Sequence, residues 1–201
     1  MAAAITDAYA TEDEYLAAGH SGGAGLVDDL EAISRLIERE TGQFFGQDAA
    51  VVDRLYRGNG KACLVVDNVA STSGLVIKVD TDGDGVFTDE DAWAATDYQL
   101  LPLNADKGPE PRPWYEIEVP RWSSKSYWPD GLLVQVTAKF GWPAVPRIVK
   151  TTCIELTAIW RAESPRATGR MNELDQVINA SPMSMSLVKR LRNSYRIPVI
   201  G

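Results

Sequence analysis

The stretch that most constrains this chain is Val134 to Trp160, VQVTAKFGWPAVPRIVKTTCIELTAIW. Val134, Val136 and Ala138 alternate with Gln135, Thr137 and Lys139, the two-residue period of a half-buried strand. Phe140-Gly141-Trp142-Pro143-Ala144-Val145-Pro146 then breaks the strand. Gly141 opens backbone angles closed to other residues, and Pro143 and Pro146 fix φ and remove two amide donors. Pro146 suits the first turn of a helix, where its missing N–H is not needed. Beyond it, Ile148, Val149, Thr152, Cys153, Leu156, Ile159 and Trp160 recur at helical spacing. Any fold for this chain must therefore run from strand through rigid turn to helix, in that order.

Two helices are expected before the β region. Thr11-Glu12-Asp13-Glu14 is a capping box, with Thr11 as the cap and Glu14 reaching back, and Tyr15 and Leu16 give the short helix its apolar contact. The second helix runs from about Leu26 to Thr41. Leu26, Leu30, Ile33, Leu36 and Ile37 form its apolar stripe, and Gly42 ends it.

From about Ala49 the period shortens. Strand-like runs appear at 51–57, 62–66, 75–79, 93–101, 115–119 and 134–139, with Gly58-Asn59-Gly60 as a hairpin signal. Pro102, Pro109, Pro111, Pro113, Pro120 and Pro129 keep the connections extended. Late in the chain, Ser181-Pro182 reads as an N-cap with proline at the first helical position, ahead of a stripe of Met183, Leu187, Val188 and Leu191. Met171 to Ala180 is weakly helical.

The expected class is α+β. A helical bundle frame, made of the N-terminal helices and a helix at about 146–162, carries an inserted small antiparallel β barrel or sandwich and an extended C-terminal tail. The expected boundaries are 1–48 for the N-terminal helices, 49–140 for the β domain, 141–163 for the helix completing the frame, and 164–201 for the tail with its short basic helix.

Composition excludes several functional classes. The net charge of −8 argues against a general nucleic-acid binder, which needs a basic face. The balance is uneven: Ser181 to Gly201 holds Lys189, Arg190, Arg192 and Arg196 and no acid. No apolar run approaches the roughly 20 residues that span a bilayer, so no membrane partner is expected. The N-terminus lacks a basic n-region and carries acids where a leader would be apolar, which points to synthesis in the cytoplasm. Cys63 and Cys153 sit in a strand-like run and on a helical apolar face, as small buried hydrophobes do; a disulfide between them is not expected, though two cysteines allow one.

The sharpest chemical motif is Asp80 to Asp91. Asp80, Asp82 and Asp84, with Gly85, Phe87 and Asp91, follow the spacing of a calcium loop. Two features oppose that: position 12 is Asp rather than Glu, and a strand-like run rather than a helix precedes the loop. The other reading is an acidic hairpin turn joining Lys78-Val79 to Val86-Phe87. Calcium is thus a possible ligand and no cofactor is required. His20 is the only histidine and no Ser or Cys motif accompanies it, so no hydrolase is indicated. Gly22-Gly23-Ala24-Gly25 lacks the Lys-Ser/Thr of a phosphate loop. Four of six tryptophans lie between Trp93 and Trp128, as a stacking platform or as the core and rim of a β domain.

Taken together, these stretches resemble the head-to-tail adaptor (connector) proteins of long-tailed bacteriophages, particularly those infecting actinobacteria. The stretches that carry the resemblance are Tyr9-Ala10-Thr11 with Glu14-Tyr15, Leu30 to Ile37 with Gly42 and Phe44-Phe45, Val79 to Gly85, Asp97 to Ala105, Phe140 to Pro146, and Tyr195-Arg196. Phe140, Gly141, Trp142, Pro143 and Pro146 form the most specific of them. The resemblance implies a non-enzymatic virion protein at the head–tail junction. It would form a twelve-fold homo-oligomeric ring linking the portal protein to the stopper or tail, through which packaged DNA passes without sequence-specific binding. It also implies that a C-terminal segment grips the portal, here Lys189, Arg190, Arg192, Tyr195, Arg196, Ile197, Val199 and Ile200. The competing class is a calcium-dependent binding module using the Asp80–Asp91 loop.

Overall fold

The computed structural model describes residues 8–163 and 182–195. Among them are four helices, α1 (Glu12–Ala17), α2 (Leu26–Thr41), α3 (Arg147–Glu163) and α4 (Pro182–Tyr195), and five strands, β1 (Val52–Arg57), β2 (Cys63–Val79), β3 (Gln99–Leu101), β4 (Trp114–Glu118) and β5 (Leu133–Phe140). The chain divides into two compact units. One is Gly46–Ala144; the other joins the chain up to Phe45 with the chain from Val145. The stretch from Met171 to Ala180, read as weakly helical, lies outside the described residues.

The strands form one antiparallel sheet in the order β1-β5-β2-β4-β3. Alternation on β5 sets its buried face: Val134, Val136, Ala138 and Phe140 are at most 1% exposed. They join Leu64, Val66, Ile77, Ile117 and Trp128 in one hydrophobic core. Trp128 lies fully inside and satisfies its indole N–H on the Ile117 carbonyl, 3.1 Å away.

This architecture corrects the expected one. The sheet is open, and no small barrel or sandwich is formed among the described residues. β1 and β3 are its edges and do not pair with each other. β3 has only three residues, and Pro102 directly after it offers no N–H to a closing strand. The helices do not make a bundle frame either, since α1 spans only six residues.

Individual strands also differ from expectation. The runs at 62–66 and 75–79 are the two ends of one 17-residue strand. Its register shifts between Val65 and Val69 and again on either side of Ser71. It bends at Gly74 (φ 77°), where a Cβ would lie 2.9 Å from Val51 Cγ1. The first half of β2 pairs with β4 and the second with β5. Gly58-Asn59-Gly60 is not a hairpin turn, because β1 pairs with β5 and not with β2. Of the run at 93–101, only Gln99–Leu101 joins the ladder.

In the helical unit, α2 packs on α3 and α4, and α3 on α4. The α2 stripe is buried there together with Val149, Cys153 and Leu156 of α3 and Val188 and Leu191 of α4. Thr11 and Glu14 form the capping box that starts α1. Lys150 Nζ lies 2.6 Å from Glu14 Oε1. Burial alone would raise the Glu14 carboxyl; the Lys150 ammonium and the Thr11 N–H outweigh it and hold it below its ordinary value. Ser34, fully buried, accepts the Tyr9 N–H (2.9 Å) and donates to the Leu30 carbonyl (2.7 Å). The Tyr9 hydroxyl donates to Glu38 (2.5 Å) and accepts the Phe45 N–H (2.8 Å). Burial, and then this bond to Glu38, push the phenol well above its usual range. Among the described residues no helix is long and apolar enough to cross a membrane.

Ile33 and Leu156 are 0% and 1% exposed. Replacing either by Asp buries an unpaired charge and is expected to cost about 3–5 kcal/mol. Thermal melting followed by circular dichroism should show loss of the cooperative transition, whereas Ile33→Val should retain it at a cost of about 1 kcal/mol.

Candidate functional site

The strand-to-helix turn is built from within by hydrogen bonds that leave no room for other side chains. Phe140 ends β5 with its carbonyl accepting the Asp48 N–H (2.8 Å) and its own N–H on Asp48 Oδ2 (3.3 Å). The Arg54 guanidinium covers the Phe140 ring at 4.1 Å from the centroid. It is fixed there by Asp67 (2.8 Å) and Asp48 (3.2 Å). Burial alone would make Arg54 easier to deprotonate, and the two carboxylates reverse that. Gly141 then takes φ 114° and donates to the Asn68 carbonyl (2.7 Å). A Cβ there would lie 2.1 Å from the Gly46 carbonyl oxygen. Trp142, 6% exposed, donates its backbone N–H to that same oxygen at 2.8 Å. Pro143 is half-buried and Pro146 buried, and the Pro146 carbonyl accepts the Lys150 N–H (3.0 Å) as α3 begins.

The acidic loop is organised by Asp80, which is 2% exposed. Its Oδ1 accepts the Gly83 (2.8 Å) and Asp84 (3.1 Å) N–H groups, and its Oδ2 accepts that of Gly85 (3.0 Å). Asp82 and Asp84 each accept a backbone N–H two residues on. The carboxylates that converge are Asp80, Asp82 and Glu90, and separately Asp82, Asp84 and Asp89, with ligand atoms within 4.8 Å. Asp91, expected to close a calcium loop, belongs to neither group. The loop is not a two-stranded hairpin either: the bridge from Lys78 is to Ala92, and Lys78 Nζ donates to the Phe87 carbonyl at 2.6 Å. The Asp84 N–H lowers the Asp82 carboxyl, but slight desolvation and the neighbouring Asp84, Asp80 and Asp89 leave it above its ordinary value.

Helix α4 separates the expected docking residues into two sets. Arg192 is exposed but engaged within the chain: its Nε donates to the Glu40 carbonyl (3.0 Å) and its Nη2 binds the Glu40 carboxylate. Tyr195 also serves the fold, with its ring edge-on to Phe45 at 5.0 Å and its carbonyl accepting from Gln43 Nε2. Lys189 and Arg190 remain exposed, beside Met183 (55% exposed) and Met185 (49%). Arg196, Ile197, Val199 and Ile200 lie outside the described residues. Glu40, Gln43 and Phe45 were not singled out as a seat for α4; the signal available was Gln43-Phe44-Phe45 directly after the helix-ending Gly42.

The other candidates are placed as follows. His20 lies tilted against Tyr15 (ring centroids 4.9 Å apart, 36° between planes) with Nε2 4.0 Å from Glu155. Both cysteines are free thiols. Burial raises the Cys153 thiol, and burial with Glu116 and Glu118 pushes Cys63 up to about 11. Of the clustered tryptophans, Trp114 and Trp128 are core, Trp93 stacks on Trp128 at 4.5 Å, and Trp122 is 74% exposed.

No known family model matches the chain, and no curated protein matches it. Among solved structures, it is similar to a chain of the neck of an empty gene transfer agent particle computed with C6 symmetry. The two are 17% identical with a TM-score of 0.49, over 100% of this chain and 97% of the other. A chain of the neck of the native particle, computed with C12 symmetry, is 20% identical with a TM-score of 0.48, over 100% and 96%. A chain of the virion of the native gene transfer agent particle is 22% identical with a TM-score of 0.43, over 90% and 82%.

Two predictions follow from the geometry of the turn and the loop. Gly141→Ala should destabilise the chain by about 3 kcal/mol or more, because both the positive φ and the Gly46 oxygen oppose a methyl group; urea unfolding measures it. Asp80→Ala should cost about 2–3 kcal/mol by leaving three N–H groups without their acceptor, and Asp80→Asn should cost less. Thermal melting followed by circular dichroism measures both losses.

Proposed function

We infer that this chain is a structural protein of the neck of a phage-like particle, an adaptor that sits between the portal and the stopper or tail. The observation that carries this reading is the Phe140–Pro146 turn. It is the most specific stretch of the resemblance, and each of its residue types meets a physical demand: a buried ring under Arg54, a glycine against Gly46, and a proline at the start of α3. Copies form a ring whose opening continues the DNA channel. A net charge of −8 suits that role, because an acidic wall lets DNA slide without adhering.

Portal docking falls to the residues that follow Tyr195, Arg196-Ile197-Pro198-Val199-Ile200, with α4 as their mount. Arg192 and Tyr195 support this indirectly, since they fasten α4 to Glu40, Gln43 and Phe45. Deleting Arg196–Gly201 keeps that seat intact. The truncated chain is expected to melt like the full chain but to lose binding to the portal encoded by the same genome. Negative-stain imaging of the mixture reads the result: a disc beneath the portal with the full chain and none with the truncated one. Equal binding by both chains would refute the docking assignment, and no disc with the full chain would refute the neck reading.

A further inference from the structure

We propose that the connection from β4 to β5 is a docking loop for a protein: Trp122 enters an apolar pocket of the partner, and carboxylates at the rim of that pocket meet Arg121 and Lys125. The inference rests on the neck reading, which makes the partner the component on the tail side. The residues after Tyr195 serve the portal, so the tail-side contact falls to another part of the chain.

The starting point is an aromatic side chain that the core does not use. Trp114 and Trp128 are buried, and Trp93 is half-buried against Trp128. Trp122 is 74% exposed, more than any other large hydrophobic side chain among the described residues. The backbone sets its position. The Pro120 carbonyl accepts the Ser123 N–H at 2.9 Å, so Arg121 and Trp122 are the two central residues of a β-turn and stand at its corner. Both are exposed there.

The loop is fastened at several points. Asp97 Oδ1 accepts the hydroxyls of Ser123 (3.2 Å) and Ser124 (3.1 Å), and Asp97 Oδ2 accepts the Ala94 N–H (3.2 Å). The Ser123 hydroxyl oxygen accepts the Lys125 N–H (3.0 Å). The Lys125 ammonium lies 5.5 Å from the centroid of the Trp93 ring, and Trp93 stacks at 4.5 Å on the fully buried Trp128. Residues 121–125 are thus one unit, tied to Asp97 and, through Trp93, to the core. An indole presented from an ordered turn loses little freedom on binding, and tryptophan with arginine beside it is the composition that concentrates binding energy in few residues.

Charge selects the partner. In a chain with 28 acids against 20 Lys and Arg, residues 120–129 contain Arg121 and Lys125 and no acid. Such a loop is complementary to an acidic surface. Two cations are too few to hold a phosphate backbone against the chain's net charge of −8, so a protein fits the loop and a nucleic acid does not.

Two variants test the assignment, Trp122→Ser and Arg121→Gln/Lys125→Gln. All three positions are exposed, so both variants should melt like the wild type. The portal carrying its disc of this chain is immobilised, and the tail-side connector protein encoded by the same genome is titrated onto it by biolayer interferometry. The wild-type assembly is expected to bind. Trp122→Ser should weaken binding by about 30-fold or more, mainly through faster dissociation. Arg121→Gln/Lys125→Gln should slow association and flatten its dependence on salt. Both variants should still form the disc. Unchanged binding by both, or a wild-type disc that does not bind the tail-side protein, overturns the docking assignment and leaves the neck reading intact. Loss of the disc by a folded variant puts the loop against the portal or between copies and also overturns it. Binding of a labelled single-stranded oligonucleotide that Trp122→Ser abolishes overturns it in favour of a nucleic acid. A wild-type chain that forms no disc refutes the neck reading and the tail-side assignment together.

Discussion

The contact on which the architecture depends is the approach of Gly141 to Gly46. One carbonyl oxygen, that of Gly46, lies where a Gly141 side chain would be and accepts the Trp142 N–H. This closes the end of β5 against residues 46–48, where Asp48 both donates to and accepts from Phe140. It thereby ties the first residues of the Gly46–Ala144 unit to its last ones. An inserted domain needs its entrance and exit held together, because an open neck would leave strand ends unpaired. Here a backbone contact does this, and Arg54 locks it by covering Phe140 while bonding Asp48 and Asp67.

What was legible in the sequence were the elements whose partners lie close in the chain. The capping box of α1, the stripe of α2 and the alternation of β5 are short-range patterns, and each stands where it was expected. The strand partners were not legible. Gly58-Asn59-Gly60 has hairpin chemistry, yet β1 pairs with β5, whose residues come some eighty positions later. Local turn propensity cannot encode so distant a register. The polar run Asn68 to Gly74 likewise hid a continuous β2, because a bulged and bent strand loses the alternation by which strands are recognised. Trp93 misled in the opposite sense: it is apolar in order to stack on Trp128, not to join a ladder. Closure into a barrel failed for the same class of reason, since a three-residue β3 followed by proline leaves an edge that alternation alone does not reveal.

The site was legible by residue type but not by role. Lys189, Arg190 and Arg192 are near neighbours of like charge, and nothing local distinguishes them. The distinction comes from Glu40, 152 residues earlier, which binds Arg192, although all three are exposed. In the acidic loop, spacing identified Asp80, Asp82 and Asp84, but whether carboxylates face an ion or their own backbone depends on φ and ψ. Asp80 faces the Gly83, Asp84 and Gly85 amides, and Asp91 turns out to stand apart from the convergent acids.

The distribution of the cations bears on how the chain holds itself together. With 28 acids against 20 Lys and Arg, folding gathers like charge. Much of the positive charge is held internally: Arg54 by Asp48 and Asp67, Lys150 by Glu14, Arg161 by Asp29, Arg192 by Glu40. Such internal pairing offsets part of that repulsion within the chain, and it does so mostly between residues far apart in sequence, so each such pair also fixes a tertiary contact. Helix α4 is the example: its burial of Val188 and Leu191 and the bonds of Arg192 to Glu40 hold it against α2.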